Sequence, residues 1–66
     1  MKVREVITLI ERDGWQLDRQ RGSHRIYRHE SKRGIVVVAG ARGRDVPVGT
    51  LRSILRQAGM KGTGRD

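Results

Sequence analysis

Cysteine is absent from these 66 residues, which excludes disulfides, thiolate-bound metals and cysteine nucleophiles. Long apolar runs are absent as well. The sequence is charged from Lys2 onward and carries no stretch near its start long and apolar enough for a signal peptide or a membrane span. A soluble, cytoplasmic protein is expected. No internal repeat and no linker divides the sequence, so it holds one domain at most. A domain near this size buries only about 60% of the surface its unfolded chain exposes, enough for one modest core.

Acidic residues are scarce. Seven Asp or Glu stand against fifteen Lys or Arg, for a formal net charge of +8. Most of the cations are arginines, whose planar guanidinium donates two parallel hydrogen bonds to one phosphate. Charge says nothing about fold, but it favours a polyanionic partner, nucleic acid first and an acidic protein alongside. The plainer alternative is a basic surface that only keeps the protein soluble.

Residues 2–13 follow a helical rule. Val3, Val6, Ile7 and Ile10 recur at i, i+3, i+4 and i+7 and fall on one stripe. Gly14 fits the left-handed position that ends a helix. From Trp15 to Gln20 the pattern turns to alternation, with Trp15 and Leu17 on one side and Gln16 and Asp18 on the other, which is strand behaviour. Arg21-Gly22-Ser23 reads as a tight turn into a second strand, His24 to His29, whose apolar residues are Ile26 and Tyr27. A polar connection over 30–34 leads to Ile35-Val36-Val37-Val38, β-branched throughout and the clearest strand in the chain. Residues 39–46 carry glycine and charge without a period and read as a loop. A last helix opens at Pro47 or at Thr50, carries Leu51, Ile54, Leu55 and Ala58 on one stripe, and stops at Gly59. Residues 61–66 have little to bury and are expected to form a flexible tail, leaving the domain over 1–60. The order helix, strand, strand, strand, helix predicts a single α+β domain: a three-stranded antiparallel sheet with both helices on one face and the other face open.

Few side chains here are suited to chemistry. His24 and His29 are five residues apart in one strand, an odd step, so they point to opposite faces roughly 16 Å apart at ~3.3 Å per residue. From a regular strand they cannot chelate one metal ion, the same geometry argues against an acid–base pair on one phosphate, and no cofactor is expected. His29 reads as a polar residue at a strand end. His24 stands where the turn enters the strand. Gly22 lets a ligand's backbone come close, and Arg21 and Arg25 flank the histidine as candidate phosphate contacts. A neutral imidazole can take a proton, and on RNA the obvious one is that of a ribose 2′-OH, whose oxygen then attacks the adjacent phosphodiester. Nearby arginines would stabilise charge developing on the phosphate. Ser23 has no acid placed to orient a base for it, as a serine hydrolase needs, and reads as a turn cap or a phosphate ligand. Arg52 and Arg56, four apart, present cations on the last helix away from its apolar stripe. The start of that helix, near Thr50, is a further place for an anion.

Three segments, DGW (13–15), RQRGSHRIYRH (19–29) and GTLRSILRQAG (49–59), resemble in order and spacing the HicA-type toxins, the small mRNA interferases of HicA–HicB toxin–antitoxin systems. The likeness covers nearly the whole chain. It implies an αβββα fold similar to a double-stranded-RNA-binding domain. It also implies metal-independent RNA cleavage, with the histidine of the Gly22-Ser23-His24 segment as the catalytic residue. The partners it implies are RNA and a HicB-type antitoxin, expected to be acidic, with the chain monomeric when free. One departure stands after the third strand, where the family usually has a proline soon followed by a histidine. Here the segment is Ala39-Gly40-Ala41, and Arg42-Gly43-Arg44 is the candidate to supply phosphate contacts instead. Two rival readings use the same residues: a non-catalytic module binding duplex RNA by shape and phosphate contacts, and a regulatory subunit acting only with its partner at DNA.

Overall fold

A computed structural model describes residues 1–60 as five elements: α1 (Val3–Arg12), β1 (Trp15–Arg21), β2 (His24–His29), β3 (Ile35–Ala39) and α2 (Val48–Gln57). The tail expected at 61–66 lies outside the described residues. Among the described residues no helix is long and apolar enough to cross a membrane.

The first helix forms where its apolar stripe and its end groups agree. Val3, Val6, Ile7 and Ile10 are buried along one side. At its start the Glu5 carboxylate accepts the backbone N–H of Lys2 at 2.6 Å. The N–H groups of Val3 and Arg4 reach the carbonyls of Arg44 and Arg42 at 2.9 and 3.1 Å. The loop after β3 thus satisfies donors that a helix start leaves without intrahelical partners. At the other end Gly14, at φ 101°, donates to the carbonyl of Glu11 at 3.0 Å. In α2 the start falls at Pro47, whose carbonyl accepts the N–H of Leu51 at 2.9 Å, and Thr50 lies inside the first turn.

The strands pair antiparallel in the order β1-β2-β3. Tyr27, Val36 and Val38 are buried beneath the helices and join the α1 stripe, Trp15, Val46, Ile54 and Ala58 in one core. Both helices therefore cover one face of the sheet and leave the other open, the α+β arrangement that the element order predicts. Ile26 does not share the core with Tyr27. It sits on the open face, half-buried, as alternation in a strand requires.

The register of β1 on β2 contains a feature the sequence pattern did not reveal. Leu17 faces Tyr27 and the next pair is Arg19 with Ile26, so Asp18 is an extra residue bulged out of the ladder. One extra residue exchanges the two faces of a strand. Before the bulge, Trp15 and Leu17 lie on the helix side, although Leu17, on the edge strand, is still 49% exposed. After it, Arg19 and Arg21 fall on the open face beside Ile26 and His24. The Asp18 carboxylate stays on the surface, 3.3 Å from Nε of Arg28.

Candidate functional site

His24 opens β2 and is exposed on the outer face of the sheet. Its cross-strand neighbours are Arg21 on β1 and Ala39 on β3. The bulge at Asp18 is what brings Arg21 to this face. Without it, continuous alternation from Trp15 would have turned Arg21 toward the helices. Gly22 and Ser23 form a two-residue hairpin turn, with positive φ (55°) at Gly22 only. That is the pattern of a type II′ turn, whose first central position favours glycine. Ser23 is exposed, and its carbonyl accepts the N–H of Gly40 at 3.2 Å. This bond ties the hairpin to the corner where β3 ends.

An open cleft of about 730 Å³ lies against this end of the sheet. Ser23 and His24 line one side, Arg44 and Asp45 the loop side, and Pro47 and Thr50 the start of α2, over a floor of Val3, Val46 and Ile54. The start of α2 has no side-chain cap. The N–H groups of its first turn therefore carry the positive end of the helix dipole without an internal partner. The one carboxylate at the cleft, Asp45, lies 3.1 Å from Nζ of Lys2. A hydrogen bond from that ammonium holds its carboxyl below the usual aspartate range. With its charge matched by Lys2, Asp45 opposes an incoming anion less than a free carboxylate would. A base, an arginine and a helix start around one cleft suit a phosphate ester.

The remaining site residues separate into two groups. Arg52 and Arg56 are exposed on α2 and do not line the cleft. Arg25, expected to flank His24 as a phosphate contact, is turned to the opposite face of β2. It is only 8% exposed, and its Nη1 donates to the carbonyl of Gly40 at 2.9 Å. Adjacent residues of a strand point to opposite faces, so Arg25 supports the Gly40 corner from below instead of meeting a ligand beside His24. The same alternation was available in the sequence. What no sequence pattern displayed was the gathering of Arg44 and Thr50 with His24, since it depends on how the 40–47 loop folds back across the start of α1.

His29 is half-buried on the helix side, its Nε2 2.7 Å from the carbonyl oxygen of Asp13. The two histidines occupy different faces, as the odd spacing requires. Among the described residues no three His, Asp or Glu side chains gather as metal ligands.

Fold and site together define a small basic αβββα domain with one exposed histidine at the edge of an anion-suited cleft. The chain belongs to the HicA toxin family: the family model described as HicA toxin of bacterial toxin-antitoxin matches residues 3–60. Its role is therefore that of a toxin in a toxin–antitoxin system. Among curated proteins none matches the chain.

Proposed function

We propose that this toxin is a cytoplasmic, metal-independent endoribonuclease that cleaves mRNA, with His24 as the general base. The carrying observation is the exposed residue His24 at the end of the sheet, lining a cleft shared with Arg44 and the uncapped start of α2. The imidazole takes the proton of a ribose 2′-OH. The freed oxygen forms a bond to the adjacent phosphorus, and the bond from phosphorus to the 5′-oxygen breaks. The departing 5′-oxygen takes a proton from water, leaving a 2′,3′-cyclic phosphate and a 5′-hydroxyl. Charge growing on the phosphate oxygens is met by Arg44, by Arg21 across the strand and by the amides of the first turn of α2. Gly22 keeps the turn free of a side chain, and Ser23 donates a hydrogen bond to a phosphate oxygen. Arg52 and Arg56 extend the basic surface along α2 and hold more distant parts of the RNA backbone. A HicB-type antitoxin neutralises the activity.

The test is RNA cleavage by His24→Ala. General acid–base catalysis is typically worth about a hundredfold to ten-thousandfold, and a loss of that order is expected. The far-ultraviolet circular dichroism and melting temperature should not change, because the side chain is exposed. Undiminished cleavage by the variant would remove His24 from the mechanism. Binding of RNA by the unaltered chain without any cleavage between about pH 6 and 9 would favour the non-catalytic binding module instead.

A further inference from the structure

The two edges of the sheet are built differently. On β1 the ladder is broken by the bulge at Asp18, and Asp18, Arg19 and Arg21 put charge along the strand. Bulges and edge charges discourage another strand from pairing there. The opposite edge, β3, has the sequence Ile35-Val36-Val37-Val38-Ala39, without charge, proline or bulge. Its free groups can be counted from the register. Gly40 donates to Ser23 just outside the pair His24–Ala39, which makes that pair a non-hydrogen-bonded one. Val36 and Val38 therefore bond to β2, while Ile35, Val37 and Ala39 direct their N–H and C=O groups outward. Among the described residues nothing pairs with them.

We propose that the free edge of β3 receives an extended, acidic segment of the antitoxin as a fourth strand. The occupant's chemistry follows from what surrounds the edge. Arg33 precedes the strand and Arg42 follows it, both exposed, so an uncharged ladder is bracketed by cations. A second copy of this chain would bring another +8 against the first, whereas a segment with carboxylates at its ends would meet both arginines. Main-chain hydrogen bonds supply the affinity in such strand addition. The added strand would also lie about 10 Å from β2, two strand spacings, and so bring its side chains to the margin of the face that carries His24. This proposal rests on the chain having a protein antitoxin and is independent of the cleavage chemistry.

Two measurements on the full chain with its purified cognate antitoxin test it. In hydrogen exchange, the amides of Ile35, Val37 and Ala39 should exchange freely in the toxin alone and at least about tenfold more slowly in the complex. Val37→Pro removes an outward N–H and no ladder bond, a position where proline is tolerated. It should weaken antitoxin binding by at least about tenfold, in keeping with a lost hydrogen bond and a blocked neighbour. RNA cleavage by the free variant should stay within about twofold of the original. Equal exchange at these amides in the complex overturns the proposal, and so does unchanged affinity of a folded Val37→Pro. A free toxin that is dimeric by light scattering, and monomeric as Val37→Pro, would assign the edge to a second copy and overturn it too. The exchange measurement needs no substitution, so it decides even where the proline variant does not fold. Failure of the unaltered chain to cut RNA would remove the nuclease reading and leave the edge result intact.

Discussion

The two histidines of β2 sit five residues apart and are held in opposite ways. At the His29 end both ring nitrogens are engaged. Nε2 donates to the carbonyl of Asp13 at 2.7 Å, and Nδ1 accepts the N–H groups of Ser31 and Lys32 at 3.0 and 3.2 Å. Two donors on Nδ1 assign the ring proton to Nε2. The ring stands edge-on to Trp15 at 5.2 Å between centroids. The indole N–H of Trp15 and the ammonium of Lys32 both donate to the carbonyl of Ala58, at 3.3 and 3.0 Å, and Lys32 also holds the carboxylate of Asp13. The ends of α1 and α2 and the connection after β2 are thereby tied into one knot. At the His24 end, among the described residues, no hydrogen bond holds the imidazole at all. A histidine whose capacity is spent internally is a structural element, and one left unspent beside a cleft is available to a substrate.

The largest effect on stability belongs to Gly14, which lies within the knot. An added Cβ would sit 2.8 Å from Nε2 of His29, on a backbone at φ 101°. Gly14→Ala should cost about 3 kcal/mol, from left-handed strain of ~1–2 and a displaced hydrogen-bonded ring of ~1–3. Denaturant unfolding measures it, and a loss below about 1 kcal/mol would show that this end is loosely packed. His29→Ala comes next. It leaves the Asp13 carbonyl and two N–H groups without their partner and removes the edge contact with Trp15, so a loss of about 2 kcal/mol is expected. Cleavage by the folded fraction should stay within about threefold, the reverse of the result expected for His24→Ala. Equal loss of activity in both variants would dissolve the division between them.

Much of this arrangement can be read from residue order, and what cannot has specific physical causes. The α1 stripe, Gly14 as its stop and the αβββα order follow from periods and turn residues that act locally. The opposite facing of His24 and His29 follows from strand alternation alone. Applied one residue further, alternation also turns Arg25 inward, so its place under Gly40 was within reach of the sequence. The bulge was not. Asp18 fits the alternation of Trp15 to Gln20 as an ordinary strand residue, and only its pairing partners expose the slip that delivers Arg21 to His24. The knot is non-local in the same way. Lys32 sits in a stretch that reads as polar loop, and its acceptors lie 19 and 26 residues away. Arg44 and Thr50 reach the cleft because carbonyls of the 40–46 loop cap the start of α1, a contact that no period announces.

The smallest effect expected is the response to acid, and it too should differ between the ends. Asp13 in the knot and Asp45 at the cleft both have carboxyl groups held below the usual range, in each case first by a hydrogen bond from a lysine, Lys32 and Lys2 respectively. A carboxyl whose folded value is lowered stabilises the fold above its unfolded value, near pH 4. That contribution is lost as the pH falls through the lowered folded value. Neither group should make the melting temperature depend on pH between about 5 and 8, where both contributions are fully present, and both should contribute to its fall below about pH 4. The Asp13 side chain is 30% exposed and that of Asp45 76%, and an exposed pair is worth little because solvent screens it. Asp13→Asn should therefore flatten the acid limb of melting temperature against pH more than Asp45→Asn does. If Asp45→Asn flattened it more, the cleft end would be the better anchored of the two, and the knot around His29 would have been assigned a stability it does not have.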